Sequence, residues 1–169
     1  PFLWSGTTLT YTDAFFETMS GFTTTGGTCL PAVENVARGV LFWRSLTHWL
    51  GGMGIIVLSL ALFPALRQGV FLYEAEVPSP FPDKVVPRLR KTAAVLWAIY
   101  TGFTTLQMIA LRLAGMSWFE GTIHAFGTLA TGGYSSRNIS VESFQSLAIE
   151  VIIIVFMILA GLNFSLYYR

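Results

Sequence analysis

One short run of threonine and glycine occurs twice in this chain, and each copy sits between a half-length apolar helix and a full-length one. The first copy is Thr23-Thr24-Thr25-Gly26-Gly27, preceded by the apolar stretch from Asp13 to Phe22. The second is Ala130-Thr131-Gly132-Gly133-Tyr134, preceded by Phe119 to Leu129. Aligning Gly26 with Gly132 superposes the two units at one constant offset, which marks an internal repeat. A short helix, an irregular Gly-rich loop and a long helix in sequence describe a re-entrant pore loop. Glycine lets the backbone adopt dihedrals that other residues resist, so successive carbonyls can be turned toward one axis, where they replace a cation's hydration shell. The carbonyl end of the short helix adds partial negative charge in front of the loop. Irregular backbone at membrane depth is tolerated only where protein buries it or it lines a watery cavity.

Composition places the chain in a membrane: 53% of residues are hydrophobic and only 11% charged, against about 25% charged in a soluble domain. Mean hydropathy is +0.61. A net charge of +1 offers no nucleic-acid footprint, and a single cysteine, Cys29, offers no disulfide framework. His48, His124 and Cys29 lack metal-ligand spacing. Three stretches are apolar enough to cross a hydrocarbon core, which takes roughly 20 helical residues: Val40 to Phe63, Thr92 to Leu113 and Ser146 to Tyr168. The expected fold class is therefore an all-α membrane protein, with transmembrane helices and re-entrant pore-helix and filter loops in potassium-channel-like repeats.

Between the first two crossings lies a polar linker, residues 64–91, with Pro78, Pro80, Pro82 and Pro87 opposing a continuous helix. Its Arg67, Lys84, Arg88, Arg90 and Lys91 make it cytoplasmic by the positive-inside rule, and both loops then open to the outside. Residues 1–63 form a pore helix, loop and long helix, and residues 92–169 a complete helix, pore loop and helix. Ser117 and Glu120 fit a capping box at the start of the second pore helix, and Thr10, Thr12 and Asp13 offer similar caps at the first. Arg44 and His48 lie one turn apart on the first crossing. An Arg at mid-bilayer costs roughly 2.5 to 3.5 kcal/mol on insertion scales, so Arg44 is expected to reach the interface or pair with a carboxylate, Glu17 being one candidate. Gly51, Gly52 and Gly54 are read first as close helix packing. The tryptophans Trp43, Trp49, Trp97 and Trp118 suit an interfacial belt.

The run Phe16-Glu17-Thr18-Met19-Ser20-Gly21-Phe22-Thr23-Thr24-Thr25-Gly26 resembles the first pore loop of TrkH-type subunits in the Trk/Ktr/HKT superfamily of potassium transporters. Phe42 to Val57, with Trp43-Arg44 and Gly51-Gly52-Met53-Gly54, is similar to the helix after it. His124 to Ser135 resembles the second pore loop, and Gly161-Leu162-Asn163-Phe164 the following helix. In that family four such repeats surround one pore and the subunits pair as dimers. The resemblance implies passive potassium transport, with or without sodium, and no cofactor. Carried over residue by residue, Gly26 and Gly132 become filter glycines, with Thr24, Thr25, Gly27, Ala130, Thr131 and Gly133 supplying the remaining filter backbone. Asn163, on the third crossing, would be an unsatisfied amide in lipid, so it is expected either to face the ion pathway or to make an interhelical hydrogen bond. The implied partners are the other two pore repeats, a second copy of the subunit, membrane lipid and, in many bacterial members, a cytosolic nucleotide-binding ring. Pro1 does not read as a natural start, so the chain is expected to be a piece of a longer protein. Two other classes compete: an intramembrane serine protease using Ser20 with His48 and His124, which lacks a Gly-x-Ser-Gly, and a non-conducting membrane scaffold, which leaves two matched loops unexplained.

Overall fold

A computed structural model describes residues 1–8, 10–71 and 85–162, with side chains described in 1–8, 10–54 and 93–162. The described residues form helices and loops without a strand. The order is α1 (Tyr11–Phe22), a 3-10 turn (Val33–Asn35), α2 (Arg38–Phe71), α3 (Val85–Leu113), α4 (Trp118–Leu129), a second 3-10 turn (Ser140–Phe144) and α5 (Leu147–Gly161).

The two short helices are the predicted pore helices, and both are 12 residues long. At about 1.5 Å per residue each covers some 18 Å, too little to cross a core of roughly 30 Å. Their starts are built alike. The Thr10 hydroxyl accepts the Asp13 N–H at 3.1 Å, and the Ser117 hydroxyl accepts the Glu120 N–H at 3.2 Å. In each case the hydroxyl also donates to the acid's carboxylate, at 2.7 and 3.1 Å, so the acid braces the cap side chain and leaves the cap's own N–H alone. This is half of the capping box expected at Ser117.

The long helices run further into the linker than hydropathy indicates. α2 continues past Pro64 to Phe71, and α3 begins at Val85, seven residues before Thr92. Pro87 is then the third residue of α3, in the first turn, where a missing N–H costs nothing. Pro64 lies inside α2 and removes the donor for the Leu60 carbonyl, a loss the helix carries without ending. The stretch Ala93–Leu113 meets the length and hydropathy of a membrane span. The third predicted crossing is described as the apolar helix Leu147–Gly161 with Ser146 and Leu162 at its ends, and residues 163–168, with Asn163, lie outside the described residues.

α4 sits at the centre, with α2, α3 and α5 packed around it. Met53, Tyr100, Leu129, Phe156 and Ala160 from these four helices form one core cluster, and Trp49 packs against it. Trp49 is half-buried between Trp97, Tyr100 and Phe126 and donates its indole N–H to Thr104 at 3.0 Å, so it is a core residue and not part of an interfacial belt. α1 is covered mainly by α2, and Phe15, Phe16, Met19 and Phe22 leave it bare on another side.

Candidate functional site: two matched loops and the residues behind them

Both pore helices end in the same way. The Thr24 N–H bonds to the Gly21 carbonyl and the Thr25 N–H to Ser20; in the second unit the Thr131 N–H bonds to Thr128 and the Gly132 N–H to Gly127. These are Schellman terminations, in which the left-handed position is usually glycine. Here it is threonine: φ is 54° at Thr24 and 55° at Thr131. A β-branched residue at positive φ is an outlier and stores about 1–3 kcal/mol of strain. Two residues on, Gly26 (80°) and Gly133 (85°) are left-handed again, whereas Thr25, Gly27, Gly132 and Tyr134 are not. The sign of φ therefore alternates along four residues in each loop, which is a way for successive carbonyls to be turned to one side.

This geometry corrects the repeat register by one residue. Helix starts, caps, Schellman bonds and left-handed residues all superpose when Gly26 is placed on Gly133, and Gly132 then corresponds to Thr25. Sequence identity favoured the other match because the tandem Gly-Gly of each loop aligns letter for letter there. Ala130, expected in the loop, is the right-handed cap residue of α4, buried at 3% exposure against Gly52. Thr25, Thr131 and Gly133 are exposed, and Thr24, Gly26, Gly27 and Gly132 half-buried.

The two loops touch. A Cβ on Gly26 would lie 2.1 Å from the Gly132 carbonyl oxygen, so glycine is required there by contact as well as by φ. Gly133 faces open space, and a Cβ on Gly132 would strike the His48 ring at 2.6 Å. The glycines of α2 bring that helix against both pore-helix ends: a Cβ on Gly51 would lie 2.2 Å from the Phe22 carbonyl, and one on Gly52 would lie 3.0 Å from Ala130. Gly54 meets nothing.

Behind the loops lies a buried polar cluster. Glu17, fully buried in α1, accepts hydrogen bonds from the Thr28 hydroxyl and, at 2.7 Å, from the Cys29 N–H. Its other oxygen takes the Arg44 Nε–H at 3.0 Å, the ion pair for which the sequence offered Glu17 as a candidate. Arg44 also donates to the Ser135 carbonyl at 3.3 Å and lays its guanidinium over the Tyr134 ring at 3.4 Å. The Tyr134 hydroxyl reaches the Gly27 carbonyl and the Glu17 backbone carbonyl, each at 3.3 Å, and His48 stacks on the ring with centroids 3.7 Å apart. In the corrected register His124 occupies the place of Glu17 and meets Ser135, the counterpart of Thr28, at 3.1 Å. Each pore helix thus anchors the segment leaving its loop, one through a carboxylate and the other through an imidazole. Sequence reading missed the roles of Tyr134, Ser135 and Thr28: those of Tyr134 lie in contacts with Glu17 and Gly27, more than a hundred residues away, and those of Ser135 and Thr28 appear only once the loops fold back on their pore helices.

Farther out, Asn138 accepts the Val33 N–H at 3.0 Å and donates its own N–H to Glu34 at 2.6 Å, tying the segment after one loop to the segment after the other. That donated hydrogen bond holds the Glu34 carboxyl below its usual range. Ser20 gives its hydroxyl proton to the Gly27 carbonyl at 2.6 Å and serves as a loop brace. Among the described residues no His/Cys/Asp/Glu group is arranged to hold a metal.

The family model of TrkH, a cation transport protein, matches residues 2–169. The Trk system potassium uptake protein TrkH of Escherichia coli (strain K12) is 44% identical over 99% of this chain and 35% of its own length. The potassium uptake protein TrkG of the same organism is 39% identical over 95% of this chain and 33% of its own. The crystal structure of the potassium transporter TrkH from Vibrio parahaemolyticus superposes with a TM-score of 0.82 at 36% identity, covering 97% of this chain and 32% of that one. The chain spans about a third of the length of these relatives.

Proposed function

Because the chain belongs to the TrkH family of cation transport proteins, an all-α family of membrane transporters and not of enzymes, we propose that it supplies two sides of a four-sided potassium-conducting pore. The two loops form half of the selectivity filter: Thr24 to Gly27 from repeat one (residues 1–63) and Thr131 to Tyr134 from repeat two (residues 92–169). The observation that carries this reading is the pair of matched loops, each with alternating φ directly after the carbonyl end of a short helix, meeting at Gly26 and Gly132. Carbonyls held this way exchange for a cation's water, and the helix ends in front of them favour positive charge. Potassium enters from the names of the relatives, which are potassium uptake proteins.

Transport is passive movement down the electrochemical gradient and involves no covalent step. Sodium as a second permeant ion is the alternative within the same family. The linker 64–91 faces the cytoplasm and the loops open outward. The remaining two repeats, a second subunit and a cytosolic regulatory ring complete the assembly. α1 gives the missing repeats a place: its bare residues Phe15, Phe16, Met19 and Phe22 correspond to Thr122, Ile123, Phe126 and Leu129 of α4, which are covered or half-covered.

The test uses the full-length protein in cells lacking other potassium uptake. Gly26→Ser and Gly133→Ser, at normal surface expression, are expected to abolish potassium-dependent growth or to admit sodium, read as rubidium and sodium uptake. Wild-type uptake and ion preference in both variants would sink the filter assignment.

A further inference from the structure

The charged pair behind the loops is an expensive way to do something the second repeat does without an ion pair. In repeat two an imidazole and a hydroxyl, His124 and Ser135, anchor the segment after the loop, and the following helix Leu147–Gly161 holds no basic residue. In repeat one the same position carries Glu17, and the following helix carries Arg44, at 0% and 3% exposure. Burying such a pair costs desolvation, and apolar or neutral replacements are often as stable or more so. Anchoring one loop does not require it.

What the charge adds is reach between loops. Arg44 binds Glu17 with Nε, the Ser135 carbonyl with Nη1, and the face of Tyr134 with its plane. Glu17 in turn holds Thr28 and Cys29 of loop one. A guanidinium can serve three directions at once because its donors are fixed in one rigid plane; an ammonium on a flexible stem cannot hold the same geometry. Tyr134 closes the circuit by giving its hydroxyl proton toward the Gly27 carbonyl, next to the left-handed Gly26.

Resting on the reading of these loops as a filter, we infer that Arg44, clamped on Glu17, is a positioning residue that sets ion discrimination: it holds loop one and loop two at a fixed separation from behind. Carbonyl oxygens that must match one ion size or field strength are sensitive to small changes in that separation.

The test is made in the full-length protein, measuring rubidium uptake and its competition by sodium at matched surface abundance. Neutralising one partner alone would leave a buried unpaired charge, so the main variant is Glu17→Gln/Arg44→Gln. This variant keeps an acceptor for Thr28 and Cys29 but withdraws the reach to Ser135. It is expected to transport, with the rubidium-to-sodium preference reduced roughly two- to thirtyfold, the range typical of mutations that alter coupling at a distance. Arg44→Lys keeps the charge for Glu17 and is expected to shift the preference in the same direction by less. Arg137→Gln, which breaks the exposed pair with Glu120, is expected to leave the preference unchanged. Wild-type preference in the double variant overturns the inference. If the double variant does not reach the membrane, Arg44→Lys decides on the same ratio, and failure of both to insert assigns the pair to folding alone and also overturns it. Gly26→Ser and Gly133→Ser are run alongside. Altered preference in those with none in the Arg44 variants rejects this inference alone, whereas unaltered preference in the glycine variants rejects the filter reading beneath it.

Discussion

At the scale of single residues, the loops depend on a division of labour between threonine and glycine. Thr24 and Thr131 accept left-handed strain because the Schellman bonds on either side hold them there. Gly26 and Gly133 take the second left-handed turn without strain, and Gly26 alone of these two is also pressed against its partner loop. Gly132 differs again. Its φ is not positive, and what it makes room for is the ring of His48, whose two nitrogens are buried without a hydrogen bond of standard geometry. A serine at Gly132 is therefore expected to act by displacing His48, and shortening that ring should relieve it. Gly132→Ser is expected to reduce rubidium uptake, and Gly132→Ser/His48→Ala to recover part of the loss at matched expression. No recovery in the double variant would mean that Gly132 acts through its backbone and not through the space it leaves.

At the scale of elements, α2 is the part that both pore helices lean on. Gly51 lies against the carbonyl end of α1 and Gly52 against the cap of α4, so one helix sets the height of both loops. Small residues allow such approach in membrane bundles, where van der Waals packing replaces the hydrophobic drive. Gly51→Ala puts a methyl into the Phe22 carbonyl and should cost about 1–3 kcal/mol, the usual range for overpacking. Gly54→Ala meets nothing and should stay within about 0.5 kcal/mol of wild type. Thermal unfolding of the detergent-solubilised full-length protein separates the two; equal melting temperatures would contradict the close approach at Gly51. Gly121, whose added methyl would meet only ordinary contacts at 3.6 and 3.7 Å, belongs with the mild group.

At the scale of the whole molecule, α4 is enclosed by three helices while α1 keeps a bare stripe of Phe15, Phe16, Met19 and Phe22. An apolar stripe of this kind is at ease against lipid or another helix. On the proposed reading, two loops meeting at one contact leave a ring open for further repeats to close. The proposed orientation rests on the basic residues of the linker between α2 and α3. A cysteine at Ser79 in the full-length protein is expected to react with an impermeant maleimide from the cytoplasmic side only, scored in right-side-out and inverted vesicles. Labelling of intact cells at that position would reverse the topology and place both loops inside.

Sequence alone determined the class of this protein, because its signals are local. A 12-residue helix cannot span a bilayer, a polar cap starts it, and a Thr/Gly run stops it; these need only neighbouring residues, and the structure repeats them at both Thr10 and Ser117. The Glu17–Arg44 pair was legible as a candidate because an intramembrane charge demands a partner and few carboxylates were in range. Tertiary structure decided the register of the repeat, since Gly26 matches Gly133 through hydrogen bonds and φ and not through letters. It decided that Ala130, the cap residue of α4, is buried against Gly52, and that Trp49 is core, packed against α3 and α4. It also decided what stands behind the loops. Tyr134 and Ser135 belong to the repeated run and the segment after it, but nothing in the chain signals their roles, which come from the closure that sets them beside an arginine 90 and 91 residues earlier, a contact that only packing creates.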